Sequence, residues 1–177
     1  MSELFIKRSA IFSACGTFRL RLDRDLGRPG RSAAICGVNP SRADGEVDDH
    51  SIRKIYGFAV RNGIGRFAMV NKFAFVATDV RELHAASVAD PVGRENDAHI
   101  RAAFAEADVV IVAWGSLTKL PPILRTRWRA VTAIAASLGK DLHCLGIAND
   151  GHPRHPLMLS YSTPLQPWVA PAMEAGQ

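Results

Sequence analysis

The chain has 177 residues and a mass of 19.2 kDa, which suits a single domain with a substantial core. Apolar residues make up 47% of the sequence and charged residues 22%, which excludes intrinsic disorder over most of its length. The 22 Lys and Arg residues outnumber the 17 Asp and Glu residues, and the resulting net charge of +5 permits a polyanionic partner without requiring one.

Residues 6–13 and 17–22 flank Cys15-Gly16 and predict an N-terminal β-hairpin. From Ser32 onward, strand patterns alternate with helix patterns. We predict strands at residues 33–38, 67–70, 108–113 and 142–146, and helices at residues 51–61, 79–87, 94–107 and 122–138.

This alternation favours a parallel sheet with helices on both faces. We therefore expect an α/β fold, a three-layer sandwich with a central, mainly parallel four-stranded sheet and an added N-terminal β-hairpin. A single domain would span residues 1–177, with the hairpin and a loop in 1–31, the α/β core in 32–159 and a C-terminal tail in 160–177.

Polar side chains follow each predicted strand of the core. Ligands of parallel α/β sheets bind beyond the carboxyl ends of the strands. If the fold is as predicted, two asparagines, two histidines and a tryptophan meet at one edge of the sheet, which predicts a functional site there. The four strand ends are Gly37-Val38-Asn39-Pro40-Ser41, Asn71-Lys72, Trp114-Gly115 and residues 149–157.

Asn39 and Asn71 each have two interpretations. Asparagine is a common turn former after a strand because it tolerates left-handed backbone. Its carboxamide also pairs a donor with an acceptor, so it can hold a water molecule or read the edge of a nucleobase. Ser41, after the rigid Pro40, would add a hydroxyl for a phosphate oxygen.

His152 and His155 lie in a proline-stiffened segment that would hold hydrogen-bond donors in place. A histidine there can donate to developing negative charge. Zinc is the rival interpretation, with His143 and Cys144 as further ligands, but neighbouring strand residues point to opposite faces and no fourth ligand is evident. We expect neither a metal nor another cofactor.

Trp114 can serve packing alone, whereas Gly115 lets a ligand or another backbone approach closely. Asp48 and Asp49 precede a predicted helix and suit its N-terminus. Asp44 is less well explained by capping and is a candidate general base.

Several other classes of site are disfavoured. Cys15, Cys36 and Cys144 are scattered and no CxxC occurs, so a disulfide framework is not expected and a reducing cytoplasm fits. The chain shows no GxSxG nucleophile elbow and no P-loop. Neither a signal peptide nor a membrane span is visible, and we expect a cytoplasmic protein.

The sequence Asn39-Pro40-Ser41-Arg42-Ala43-Asp44 matches an Asn-Pro-Ser-x-Ala-Asp motif. Further matches follow at residues 90–97, 113–115 and 150–157. On these motifs the chain resembles a family of uncharacterised bacterial proteins over about residues 9–159, and that family carries no function.

The order of the motifs is also similar, more distantly, to the uracil-DNA glycosylase superfamily. Residues 37–41 resemble the Gly-Ile-Asn-Pro-Gly motif of its mismatch-directed members, and Asn71 resembles their uracil-reading asparagine. Trp114-Gly115 resembles the Trp-Gly pair that ends another of their strands. Residues 152–157, His-Pro-Arg-His-Pro-Leu, resemble the closing His-Pro-Ser-Pro-Leu motif with one extra residue.

This resemblance implies a uracil-DNA glycosylase-like fold and a monofunctional, metal-independent enzyme of base-excision repair. Such an enzyme flips uracil out of DNA and hydrolyses its N-glycosidic bond. The expected partners are uracil-containing DNA and free uracil as product, with no membrane, and we expect a monomer.

The resemblance also implies roles for individual residues. Asn39 would hold the attacking water with help from Asp44 or Asp48, Asn71 would read uracil, and either His152 or His155 would stabilise the uracil anion. The substrate pocket would include Gly37, Val38, Ser41, Trp114 and Gly115, with a stacking aromatic among Phe73, Phe75, Tyr56 and Phe58. DNA would contact Ser41, Lys72, Arg154 and Leu157, with Arg154 or Leu157 as the wedge.

Two other functions would use the same pocket. One is an N-glycosidase acting on a free nucleoside or nucleotide. The other is a protein that binds damaged DNA without cutting it.

Overall fold

The computed structural model describes residues 7–172. Ile6, at the start of the predicted hairpin, and residues 173–177 of the predicted tail lie outside the described residues. The strands are β1 Lys7–Phe12, β2 Arg19–Asp25, β3 Arg31–Gly37, β4 Ile64–Asn71, β5 Val109–Val112, β6 Leu142–Cys144 and β7 Gln166–Pro167. The helices are α1 His50–Arg61, α2 Asn96–Glu106 and α3 Trp128–Ser137, with short 3-10 turns at Val80–His84, Leu117–Lys119, Pro122–Leu124 and Pro156–Met158.

The described strands form one seven-stranded sheet in the order β1-β2-β4-β3-β5-β6-β7. The strands β4, β3, β5 and β6 are parallel neighbours, whereas β1 with β2, β2 with β4 and β6 with β7 pair antiparallel. The prediction of a mainly parallel four-stranded sheet of the uracil-DNA glycosylase kind is therefore wrong, because the sheet is larger and mixed. The α/β class is compatible with the structure.

The physical reason lies in the N-terminal strands. Leu20, Leu22 and Arg24 of β2 are buried, and Leu22 faces Met69 of β4. The hairpin thus covers the edge of β4, which would otherwise expose unpaired backbone groups. At the other edge, β7 has two residues, too few to show a periodic pattern.

Helices cover both faces of the sheet, and β3 is buried from Ser32 to Gly37 as a result. One core lies between the sheet and α2 with α3, and includes Ala34, Val70, Val110, Ile100, Phe104 and Val131. The other lies under α1, and includes Ile35, Met69, Ile111, Ile52, Ile55 and Ala59.

Two predicted helices are shorter than expected. Residues 79–87 form only the 3-10 turn Val80–His84, closed by a capping box between Asp79 and Glu82. In the segment 122–138, α-helix begins at Trp128, after the separate 3-10 turn Pro122–Leu124. The successive prolines Pro121 and Pro122 remove two amide donors and interrupt a continuous helix there.

Two buried arginines of β2 hold the long loop between β3 and α1. Arg19 Nη1 donates to the Ala43 carbonyl oxygen at 2.5 Å. Arg24 Nη2 donates to the Asp44 carbonyl oxygen at 2.6 Å, and its Nε donates to Asp48 Oδ1 at 2.8 Å. The loop that carries Asn39 and Ser41 is therefore anchored to the sheet.

No helix within residues 7–172 is long and apolar enough to cross a membrane. The three cysteines are free, with Cys15 exposed and Cys36 and Cys144 buried.

Candidate functional site

A cavity of about 450 Å3 opens at the carboxyl ends of the parallel strands. Residues from the ends of β3, β4 and β5 line it together with part of the 149–157 segment. Among the residues proposed from the sequence, those on this cavity are Gly37, Val38, Asn39, Ser41, Asn71, Trp114, Gly115, His155 and Leu157.

Asn71 is the polar side chain at the end of β4 and is 2% exposed. Neither its Nδ2 nor its Oδ1 has a hydrogen-bond partner among the described residues. A buried polar group without a partner costs about 1–3 kcal/mol. A carboxamide that is buried, unpaired and on a cavity indicates a ligand that completes its hydrogen bonds.

The surroundings of Asn71 hold this carboxamide in place. Asn96 Nδ2 donates to the Asn71 carbonyl oxygen at 2.9 Å and to the Lys72 carbonyl oxygen at 3.2 Å. A Cβ atom at Gly37 would lie 2.8 Å from Asn71 Oδ1 and 2.6 Å from Met69 Cε. Glycine at position 37 therefore makes the room that the Asn71 side chain occupies.

Asn39 combines a structural role with one remaining acceptor. Its Nδ2 donates to the Pro40 carbonyl oxygen at 3.0 Å and to the Ala77 carbonyl oxygen at 2.7 Å. Both amide hydrogens are used in this way, which orients the side chain and leaves Oδ1 as the acceptor at the cavity wall.

Of the two histidines in the 149–157 segment, His155 lies on the cavity. Its Nδ1 accepts a hydrogen bond from the Leu157 amide at 3.2 Å, so the neutral ring carries its proton on Nε2. Burial lowers the pKa of His155, and the charge of Lys119 lowers it further. His155 is therefore neutral at pH 7 and able to donate from Nε2.

His152 lies beneath the site rather than on it. It is 4% exposed, and Trp114 Nε1 donates to its Nδ1 at 3.4 Å. Its ring centroid lies 5.1 Å from that of Trp128 and 6.1 Å from that of Trp168. His152 thus packs among three tryptophans, and the structure places only His155 of the two histidines on the cavity.

The acidic residue on the cavity is Asp49 rather than Asp44. Asp44 Oδ1 accepts the amides of Val47 at 2.7 Å and Glu46 at 2.8 Å, which lowers the pKa of this carboxyl group and leaves it off the cavity lining. Asp49 caps α1 by accepting the Ile52 amide at 2.9 Å, and it also lines the cavity. Its position on the cavity has no separate signal in the sequence, because capping alone explains an aspartate there.

None of the four aromatic residues proposed for stacking lines the cavity. Phe73 packs in a core cluster with Leu83 and Leu120, and its amide donates to the Val38 carbonyl oxygen. Phe75 meets Phe18 edge to face, with ring centroids 5.9 Å apart. The remaining two lie on α1, Phe58 and Tyr56. Trp114 borders the cavity, but it is 3% exposed and its ring packs in the core, with its centroid 5.4 Å from that of Trp168.

Lys72 cannot contact DNA phosphates in this structure, because it is 0% exposed. Its Nζ lies 5.1 Å from the Trp114 ring centroid and has no hydrogen-bond partner within the described part of the chain. Burial lowers the pKa of Lys72 to about 7.

Exposed basic side chains do occur at the mouth of the cavity, and the sequence did not single them out. Arg42 and Lys119 are exposed and line it, and His50 lies beside them. Arg154 is exposed but faces a neighbouring depression that also includes Asp150. Arg19 of β2 is buried and also lines the cavity.

A larger groove of about 910 Å3 lies at the opposite end of the sheet. Several of its charged side chains form ion pairs. Arg21 contacts Asp23 at 2.9 Å and Glu106 at 2.7 Å, and Arg24 contacts Asp48 at 2.8 Å. The smaller cavity is the better candidate for a ligand site, because it contains the buried Asn71 carboxamide, which has no hydrogen-bond partner among the described residues.

The zinc alternative has no matching cluster. Among residues 7–172, no three His, Cys, Asp or Glu side chains are grouped closely enough to hold a metal ion.

The architecture is that of an α/β protein with a polar cavity at the carboxyl edge of its parallel strands. A family model described as "Protein of unknown function (DUF1643)" matches residues 19–157. The chain belongs to this uncharacterised family. Comparisons with curated proteins and with solved structures gave no significant match.

Proposed function

We propose that this protein is a DNA glycosylase that excises uracil from DNA, acting in the cytoplasm in base-excision repair. The observation that carries the proposal is the Asn71 carboxamide, which is buried on a cavity with both polar atoms unpaired. A glycosylase needs a pocket of this kind because it reads an extruded base by its Watson–Crick edge.

The carboxamide suits uracil by its pattern of donor and acceptor. Uracil presents the N3 hydrogen to Asn71 Oδ1 and the O4 oxygen to Asn71 Nδ2. Cytosine presents the opposite pattern, and its misfit leaves buried polar groups unpaired at about 1–3 kcal/mol each.

The reaction is a hydrolysis at C1′. The C1′–N1 bond breaks, and its electron pair leaves with uracil N1 while the oxygen of water bonds to C1′. Asn39 Oδ1 holds the water, and the Asp49 carboxylate takes its proton. His155 donates from Nε2 to the leaving anion, which then takes a proton from solvent to give free uracil.

Contact with DNA falls to the exposed groups around the mouth. Arg42 and Lys119 meet phosphates, and Leu157, which is exposed beside His155, enters the space left by the extruded base.

The decisive experiment incubates the pure protein with a uracil-containing oligonucleotide and then treats the DNA with hot alkali, which breaks the strand at abasic sites. We expect strand breaks with the natural protein and none with Asn71→Leu, which keeps the side-chain size but removes both hydrogen-bonding atoms. Circular dichroism of the variant confirms that it is folded.

Three outcomes contradict the proposal. Absence of strand breaks at stoichiometric protein rules out the glycosylase. Release of uracil from deoxyuridine or its nucleotide, but not from DNA, identifies an N-glycosidase of small substrates. Tight binding of the uracil oligonucleotide without base release identifies a binding protein.

A further inference from the structure

Arg19 brings a buried positive charge into the wall of the cavity. Its side chain comes from β2, lines the cavity and belongs to a residue that is 3% exposed. Nη1 donates to the Ala43 carbonyl oxygen, but Nε has no hydrogen-bond partner among residues 7–172. A buried guanidinium with an unused donor is costly unless a ligand completes its contacts.

Arg19 is protonated at neutral pH. Burial lowers the pKa of Arg19 to about 10, with Arg24 acting in the same direction and Asp49 and Asp44 opposing it. The charged side chains on the cavity are then three basic ones, Arg19, Arg42 and Lys119, and one acidic one, Asp49. The cavity therefore favours an anionic ligand.

The start of α1 supports the same conclusion from the backbone. His50, Ser51 and Ile52, the first residues of this 12-residue helix, line the cavity. The N-terminus of a helix carries partial positive charge and commonly binds phosphate, although here the Ile52 amide already donates to Asp49 Oδ1. The hydroxyl of Ser41 also lies on the lining and is a suitable donor to a phosphate oxygen.

We propose that Arg19 and the start of α1 form a phosphate subsite, so that the cavity takes a deoxyuridine nucleotide with its base on Asn71 and its phosphate on Arg19. The edge of the guanidinium that carries Nε and Nη2 is a planar fork that matches two phosphate oxygens. This proposal rests on the proposed function, because it assumes that the base lies against Asn71. The phosphate is either the monoester of a free nucleotide or a diester of the DNA strand.

Calorimetric titration with deoxyuridine and with its 5′-monophosphate tests the subsite without catalysis. We expect the natural protein to bind the nucleotide about tenfold or more tightly than the nucleoside. Arg19→Gln abolishes this preference but keeps the affinity for deoxyuridine, and Arg19→Lys retains part of the preference. Arg24→Gln is the matched control, because it removes a loop anchor of the same strand that does not line the cavity.

Modified DNA distinguishes the two sources of phosphate. A neutral methylphosphonate replaces, in turn, the linkage on the 5′ side and on the 3′ side of the deoxyuridine. If a DNA phosphate occupies the subsite, one replacement slows excision by the natural protein about tenfold and has no effect on Arg19→Gln. If the subsite serves free nucleotides, the preference for the monophosphate depends on Arg19 and both replacements leave excision unchanged.

The proposal is overturned if neither the preference for the monophosphate nor any effect of the methylphosphonates depends on Arg19. It is also overturned if the natural protein binds neither the nucleotide nor DNA. Arg19-dependent binding of the nucleotide without any base release keeps the subsite and refutes the glycosylase. Excision that is unaffected in Arg19→Gln, with no preference for phosphate, keeps the glycosylase and refutes the subsite.

Discussion

Two histidines three positions apart acquire different environments. His155 is half-buried on the cavity, where its Nδ1 caps the turn at Leu157 and its Nε2 carries the proton. His152 is enclosed by tryptophans, and its amide donates to Asp150 Oδ1 at 3.1 Å. Identical side chains therefore have separate positions, one on the cavity and one packed in the core.

Asparagine substitutions separate these roles. His155→Asn keeps an acceptor where Nδ1 caps Leu157 but removes the Nε2 donor, so we expect the single-turnover rate of uracil excision to fall about 100- to 1,000-fold with little change in stability. His152→Asn leaves space beneath Trp114 and lowers the free energy of unfolding by about 1–3 kcal/mol. Excision assays and urea denaturation measure the two effects. If excision is lost in His152→Asn but not in His155→Asn, the catalytic role belongs to His152.

At the scale of elements, the ends of β4 and β5 meet through a buried lysine. Lys72 follows β4 directly, and its Nζ lies near the Trp114 ring that follows β5. Arg127 Nε and Asn96 Nδ2 donate to its carbonyl oxygen, at 2.9 Å and 3.2 Å. The carbonyl oxygen of Lys72 therefore accepts two hydrogen bonds, whereas its Nζ has no hydrogen-bond partner among residues 7–172.

This arrangement makes stability depend on pH. Between the folded pKa of about 7 and the ordinary 10.5, the unfolded chain binds a proton at Lys72 that the folded protein lacks. Protons therefore favour unfolding, and this group makes stability rise with pH by up to about 1.4 kcal/mol per pH unit. Lys72→Met lacks this slope and is more stable than the natural protein at pH 7.

Urea denaturation at several values between pH 7 and 8.5 measures the slope. This window avoids the opposing effect of Cys36, whose pKa burial raises from 9.0 to about 12. Lys119→Met, which removes an exposed lysine, is expected to keep the natural slope. Equal slopes in the natural protein and in Lys72→Met would show that Lys72 stays charged in the folded state.

At the scale of the whole molecule, the net charge of +5 has no single location. Lys119 and Arg42 are at the mouth of the cavity, whereas Arg66 is exposed at the opposite end of the sheet. Under the proposed function, Lys119 and Arg42 would contact the DNA, whereas Arg66 would not.

Charge-matched substitutions test this placement. Lys119→Gln and Arg66→Gln each remove one positive charge. We expect Lys119→Gln to weaken binding to uracil-containing duplex and to reduce the slope of log K against log salt by about 0.9, the value for one phosphate contact, while Arg66→Gln changes the slope little. Fluorescence anisotropy over a salt series gives both slopes. An equal loss in the two variants would mean that the net charge attracts DNA without a defined interface.

Local patterns in the sequence determine the alternation of strands and helices, and with it the edge of the sheet where ligands bind. Asn39, Asn71, Trp114 and Gly115 follow strands directly, so their common location on one cavity follows from short-range order. The extent of the sheet was not predictable in this way. The pairing of β2 with β4 joins residues far apart in sequence, and β7 is too short for a pattern.

Tertiary packing alone decided which side chains reach the cavity. The order of residues beyond a strand does not determine whether a side chain turns inward, as Lys72, Phe73 and His152 do, or lines the cavity, as His155 does. Arg19 shows the same limit, because an alternating strand predicts a face but not that this face closes over a cavity. The physical reason is that burial depends on contacts between distant elements, which local periodicity does not contain.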